Sequence, residues 1–123
     1  MQLTKAEEQL MHHLWTLEKA YMKDLLEAFP EPKPATTTVA TLLKRMADKG
    51  FIGYNEFGKS REYYPLIQKE AYSKKEVSGF IKDFFNNSTA QFASFFTKET
   101  NMSTAELEEL KKIIENELQK KNK

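Results

Sequence analysis

The chain has 123 residues, 40% of them hydrophobic and 30% charged, with a net charge of +1. That is the size of one ordinary domain, or of a compact module with a helical extension. There is no cysteine, which excludes disulfides, thiolate metal sites and cysteine nucleophiles. No apolar run approaches the roughly 20 residues needed to span a bilayer, and the opening MQLTKAEEQL is charged where a signal peptide is apolar. A cytoplasmic protein without membrane insertion is expected.

Thr4 followed by Glu7 is a capping-box pattern and should open the first helix, with Ala6, Leu10, Met11, Leu14 and Leu17 on one apolar face and Trp15 completing the core. A second short helix, over about 20–29, presents Tyr21, Leu25, Leu26 and Phe29. It stops at Pro30, Pro32 and Pro34, which read as a stiff connector. A third helix begins in the run Thr36, Thr37, Thr38, where a hydroxyl can cap. It buries Val39, Leu42, Leu43 and Met46 and stops at Gly50. The next segments, 51–57 and 61–67, are rich in aromatic and β-branched residues around a Gly58-Lys59-Ser60 turn, the pattern of a β-hairpin. Three helices and a hairpin in this order predict a winged helix, in which the third helix enters the major groove and the hairpin rests on neighbouring phosphates.

From Lys69 onward the chain reads as helical. Val77, Phe80, Ile81, Phe84 and Phe85 make one apolar stripe; Asn86 and Asn87 tolerate a left-handed turn; Phe92, Phe95 and Phe96 make another stripe. Ser103 with Glu106 repeats the capping box and opens a last helix bearing Leu107, Leu110, Ile113, Ile114 and Leu118. Nothing large remains in the chain to cover these faces, so a symmetric homodimer is expected. The expected fold is mainly α with a small β-hairpin: a winged helix over 1–68 and a helical dimerisation region over 69–123.

The stretch from Lys33 to Arg61 holds Lys33, Lys44, Arg45, Lys49, Lys59 and Arg61 against Asp48 and Glu56, a local +4 that leaves the rest of the chain at −3. This suits a small DNA-contacting surface, the alternative being ordinary solvated surface. Thr37, Thr38 and Thr41 lie off the buried face of the third helix, where hydroxyls and methyls can reach base edges; capping and solvent exposure are the other reading. Thr36 is assigned to a cap or a phosphate, and Lys44 to a phosphate. Arg45 is assigned to the same surface or to a pair with Asp48. Lys59 and Arg61, at the wing, would neutralise phosphate with little sequence information. His12 and His13 point about 100° apart and cannot chelate one ion as an i, i+4 pair would. Glu106, Glu108 and Glu109 favour a helix N-terminus and have no nucleophile or base beside them, so no metal, cofactor or enzymatic activity is expected. Two rivals to a DNA-binding repressor stand beside it: a winged-helix module for protein association, and a drug-sensing winged-helix regulator, which would need a ligand pocket.

Leu3-Thr4, Ala6-Glu7, Met11 and Leu14-Trp15, then Thr38-Val39-Ala40-Thr41-Leu42-Leu43-Lys44-Arg45-Met46 with Lys49-Gly50, then Arg61 and Tyr63-Tyr64-Pro65, and finally Leu107-Glu108-Glu109-Leu110 resemble, in this order, the BlaI/MecI/CopY family of penicillinase-type repressors. The resemblance implies a homodimer whose winged helices bind an inverted-repeat double-stranded DNA operator, often built on TACA/TGTA half-sites. It also implies a membrane metalloprotease sensor that triggers cleavage in the C-terminal dimerisation region. The family's scissile step is an asparagine-phenylalanine pair, and the aligned place here is Phe95-Phe96. The cysteine-rich C-terminal motif of copper-responsive members is missing, which argues against copper sensing of that type.

Overall fold

The computed structural model describes residues 2–122. In chain order the elements are α1 (Lys5–Leu17), α2 (Met22–Ala28), α3 (Thr36–Asp48), β1 (Ile52–Phe57), β2 (Ser60–Pro65), α4 (Lys69–Phe85), α5 (Thr89–Glu99) and α6 (Thr104–Lys121). They fall into two compact units, a head reaching to Lys75 and a helical unit from Glu76 on. No helix among the described residues is long and apolar enough to cross a membrane.

The α1 capping box forms as the sequence implies. The Thr4 amide donates to Glu7 Oε1 at 2.7 Å and the Glu7 amide donates to Thr4 Oγ1 at 3.2 Å. The buried face of α1 is Glu7, Leu10, Met11 and Leu14. At about 100° per residue its centre lies between Leu14 and Glu7, which turns Ala6 and Leu17 to the edge of the face. Both are exposed, contrary to expectation. Trp15 is half-buried, packs against the core and donates from Nε1 to the Ile67 carbonyl at 2.9 Å.

The second helix is shorter than expected because Ala20 and Tyr21 have other partners. Ala20 forms a two-way backbone bridge with Tyr63, at 3.0 and 2.8 Å. The Tyr21 amide donates to Asp24 Oδ2, at the N-terminal end of α2. Beyond Phe29 the Lys33 ammonium donates to the carbonyls of Leu26, Glu27 and Phe29 at 3.0–3.1 Å. These are the groups a helix end leaves unsatisfied, and a cation is favoured there.

The N-cap of α3 is Ala35, not a threonine, and no side chain caps it. The cap position therefore falls one residue before the hydroxyls, and Thr36, Thr37 and Thr38 form the first turn of the helix. At the other end the Gly50 amide donates to Ala47 O and the Phe51 amide to Met46 O, both at 3.0 Å. Gly50 sits at φ +84°, the left-handed position that this Schellman arrangement gives to glycine. The hairpin then pairs Ile52 with Pro65 through Phe57 with Ser60. Gly58, at φ +64°, takes the first position of its two-residue turn.

These elements close one core, in which Leu10, Leu14, Leu25, Val39, Leu43 and Met46 have no exposed surface. Each such side chain contributes about 1.5–3 kcal/mol over leaving it in water. The first turn of α4 belongs to this head: Tyr72 is buried, its ring lies 5.6 Å from Trp15 and 6.1 Å from Phe51, and its hydroxyl donates to Glu8 Oε2 at 2.7 Å. The head thus runs on past residue 68.

The second unit is built differently. The left-handed Asn86 and Asn87, at φ 53° and 61°, end α4, and Ser88 caps α5 through the Gln91 amide. Ser103 and Glu106 form the capping box of α6, whose hydrogen bonds hold the Glu106 carboxyl below the usual range. Phe85 meets Phe92 at 5.5 Å and Phe95 at 5.3 Å, yet no residue of α5 or α6 is buried.

Candidate nucleic-acid interface

The exposed face of α3 follows from its helical period. Val39, Leu43 and Met46 point into the core, which leaves Thr36, Thr37, Thr38, Thr41, Lys44 and Arg45 exposed on the remaining arc. Thr41 Oγ1 donates to the Thr37 carbonyl at 3.0 Å. With its proton committed to the backbone, Thr41 offers a methyl group and acceptor lone pairs, a combination that fits a thymine methyl.

The basic stretch divides once its partners are known. Lys33 is spent on the end of α2, and Lys49 Nζ lies 2.6 Å from Glu7 Oε1. Asp48 pairs with Lys44, at 3.3 Å and a spacing of four, rather than with Arg45. Both members of that pair are exposed, so it is worth no more than about 1 kcal/mol and a phosphate can displace it. Arg45 and Lys59 have no ion-pair partner among the described residues. Arg61 lies over the Tyr54 ring, 4.4 Å from its centroid, with its Nε 3.8 Å from Glu56 Oε1. The ring restricts the guanidinium by cation–π contact and keeps it on the wing. Lys44 and Arg45 on α3, with Lys59 and Arg61 on the hairpin, are therefore the cations left for an outside partner.

The Glu7–Lys49 pair was not foreseen. Glu7 has no exposed surface, and its Oε2 finds no hydrogen-bond partner among the described residues. Burial pushes its carboxyl up, but the Lys49 ammonium and the Thr4 amide and hydroxyl outweigh that and hold it below the ordinary value. Lys49, which also donates to the Gln2 carbonyl at 3.0 Å, ties the end of α3 to the start of α1. The available signal was a glutamate in the middle of an apolar face, a position that demands a buried cation.

His13 is half-buried with its ring 4.6 Å from Phe29, and its Nε2 is buried without a partner among the described residues. Desolvation, helped by neighbouring His12, lowers its pKa. No group of three potential metal ligands occurs among the described residues. Of the expected dimerisation residues, Phe80, Phe84, Phe95, Phe96, Leu107, Ile113 and Ile114 are exposed, and Phe85, Phe92 and Leu110 half-buried. The aligned cleavage step, Phe95-Phe96, lies inside α5.

A helix with a polar, threonine-rich outer face beside a hairpin bearing two cations defines a DNA-binding regulator of the winged-helix class. The chain belongs to the penicillinase repressor family, whose model matches residues 3–116. It is 25% identical over 114 residues to the methicillin resistance regulatory protein MecI of Staphylococcus aureus (strain N315), covering 92% of this chain and 93% of that protein. With the penicillinase repressor of Bacillus licheniformis it shares 23% identity over 115 residues, covering 93% of this chain and 90% of the relative. Among solved structures, the DNA-binding domain of the repressor BlaI superimposes with a TM-score of 0.51 at 22% identity, over 58% of this chain and 88% of that one. That likeness establishes the winged-helix fold. The relatives are regulators rather than enzymes, and this chain is a DNA-binding transcriptional repressor.

Proposed function

We propose that two copies of the chain form a homodimer that represses transcription by binding an inverted-repeat operator. In each copy Thr37, Thr38 and Thr41 read base edges, while Thr36, Lys44, Arg45, Lys59 and Arg61 hold phosphates. The observation that carries this reading is the division of α3 into a wholly apolar inner face and an outer face of threonines and cations. The helices from Glu76 on serve as the dimer interface, and the exposure of their phenylalanines and of Leu107, Ile113 and Ile114 supports this. A dimer is needed because the two half-sites lie about one DNA turn apart, roughly 34 Å, and a fixed pair of heads matches that spacing. Release follows a cut in the C-terminal region by a membrane metalloprotease sensor system. At Phe95-Phe96 such a cut would separate α6 from the head.

Fluorescence anisotropy with a TACA/TGTA inverted repeat and a scrambled duplex tests the reading. Four neutralised phosphates in one subunit predict a loss of roughly 100-fold in affinity between about 50 and 200 mM salt, and two subunits a larger one. Arg61→Ala should weaken both duplexes alike, because a phosphate contact carries no sequence information. A flat salt response, or equal affinity for the scrambled duplex, contradicts sequence-specific repression.

A further inference from the structure

Between α2, the first turn of α3 and β2 the head is hollowed by a cleft of about 740 Å³. Small-molecule sites commonly occupy about 300–1,000 Å³. The floor is apolar: Tyr63 is a core residue, and Met22 and Leu26 pack against the core from the side. The walls carry Lys23, Lys59 and Arg61, and no aspartate or glutamate lines the space. Neither Lys23 nor Lys59 has an ion-pair partner among the described residues. Glu56 approaches Arg61 only to 3.8 Å, too long for a hydrogen bond, so the guanidinium fork stays available to a carboxylate.

The cleft therefore offers two chemistries at once, an apolar floor and three lining cations. A DNA phosphate uses only the second, since a sugar-phosphate strand has no flat apolar body to set on Met22 and Leu26. We propose that the cleft binds a small aromatic carboxylate, its ring on the apolar floor and its charge among Lys23, Lys59 and Arg61, and that its occupancy excludes DNA. The exclusion follows from shared residues: Thr36, Lys59 and Arg61 line the cleft and belong to the proposed DNA face. It rests on that reading of the DNA face, whereas ligand binding itself does not. A ligand that binds only the DNA-free head weakens DNA binding by the factor 1 + [L]/Kd, about tenfold per head when its concentration is ten times Kd.

The test uses the full chain, ¹⁵N-labelled, and three separate probes: 1-naphthoate, neutral 1-naphthylmethanol and inorganic phosphate. Amide shifts are followed, and in parallel the anisotropy of an operator duplex. The expected result is saturable naphthoate shifts at Met22, Lys23, Leu26, Ser60 and Arg61, with at least tenfold higher affinity than either control. Lys23→Gln should weaken naphthoate severalfold through the charge, and Met22→Gln through the floor. Naphthoate should also raise the apparent Kd for DNA in proportion to its concentration. The proposal is overturned by shifts that map elsewhere or do not saturate, by inorganic phosphate binding these amides as well as naphthoate does, or by saturating naphthoate that leaves DNA affinity unchanged. A protein that fails to bind DNA in the ligand-free arm contradicts the proposed function, and the shift titration then decides the ligand site by itself.

Discussion

The head and the C-terminal helices carry the same kind of apolar periodicity and end in opposite states. In the head Leu10, Leu14, Leu43 and Met46 are wholly buried, whereas beyond Glu76 the side chains of Phe84, Phe95, Ile113 and Leu118 are each more than half exposed. The head closes because three helices, a hairpin and the first turn of α4 meet around one centre, with Ala20 stitched to Tyr63 and Tyr72 to Glu8. Within the second unit the rings of Phe80, Phe85, Phe92 and Phe95 touch without covering one another. An amphipathic stripe states that a face must be buried. It does not state by what, and a second chain is the simplest answer.

The largest effect that can break this contrast comes from removing the second unit. A chain ending at Lys75 should keep its fold by circular dichroism, yet bind an operator about 10²–10⁴-fold more weakly, because two tethered heads gain that much from effective concentration alone. Loss of the fold on truncation would mean that the head borrows its stability from the later helices. Next comes the buried ion pair. Lys49→Ala leaves the Glu7 carboxylate buried without its cation, which should cost about 3 kcal/mol in urea unfolding. Glu7→Gln, which removes the charge and keeps the shape, should cost much less. Equal losses would show that packing rather than charge matters there.

Much of this was legible where the signal is local. The capping boxes at Thr4 and Ser103, the left-handed Asn86-Asn87 turn and the hairpin turn at Gly58 each rest on residues within a few positions of one another. What sequence missed was mostly long-range or a matter of a single register step. Glu7 and Lys49 are distant in the sequence, as are Ala20 and Tyr63, and nothing local pairs them. The cap of α3 falls on Ala35 because Thr36 is already the first helical residue, and Asp48 takes Lys44 because a spacing of four aligns the two side chains better than Arg45 at three. The exposed arc of α3 was readable because the helical period alone divides inner from outer residues. The cleft was not, since α2, α3 and β2 meet only in the folded head.

A smaller effect sharpens the division of labour on α3. Thr41→Ala should lose about 1 kcal/mol of binding to the true operator and little on a scrambled duplex. Thr41→Val, which keeps the methyl, should lose less, as operator titrations can show. The opposite order would assign the contact to the hydroxyl. The smallest effect is in pH. Burial lowers the pKa of His13 from an ordinary 6.5, so the fold favours the neutral ring. The stability it contributes is present above that value and is lost as pH falls through it, when the unfolded chain takes up the proton more readily. Glu7, lowered from 4.5, contributes stability that is present above that value and lost as pH falls further. Head unfolding followed by tryptophan fluorescence should therefore weaken in two stages on acidification, and His13→Gln should remove only the first.

Sedimentation equilibrium at micromolar concentration tests most directly the claim that the exposed phenylalanine-rich helices are half of an interface. The intact chain should run as a dimer and the chain ending at Lys75 as a folded monomer. An intact chain that is monomeric, or a truncated chain that remains a tight dimer, would contradict the account.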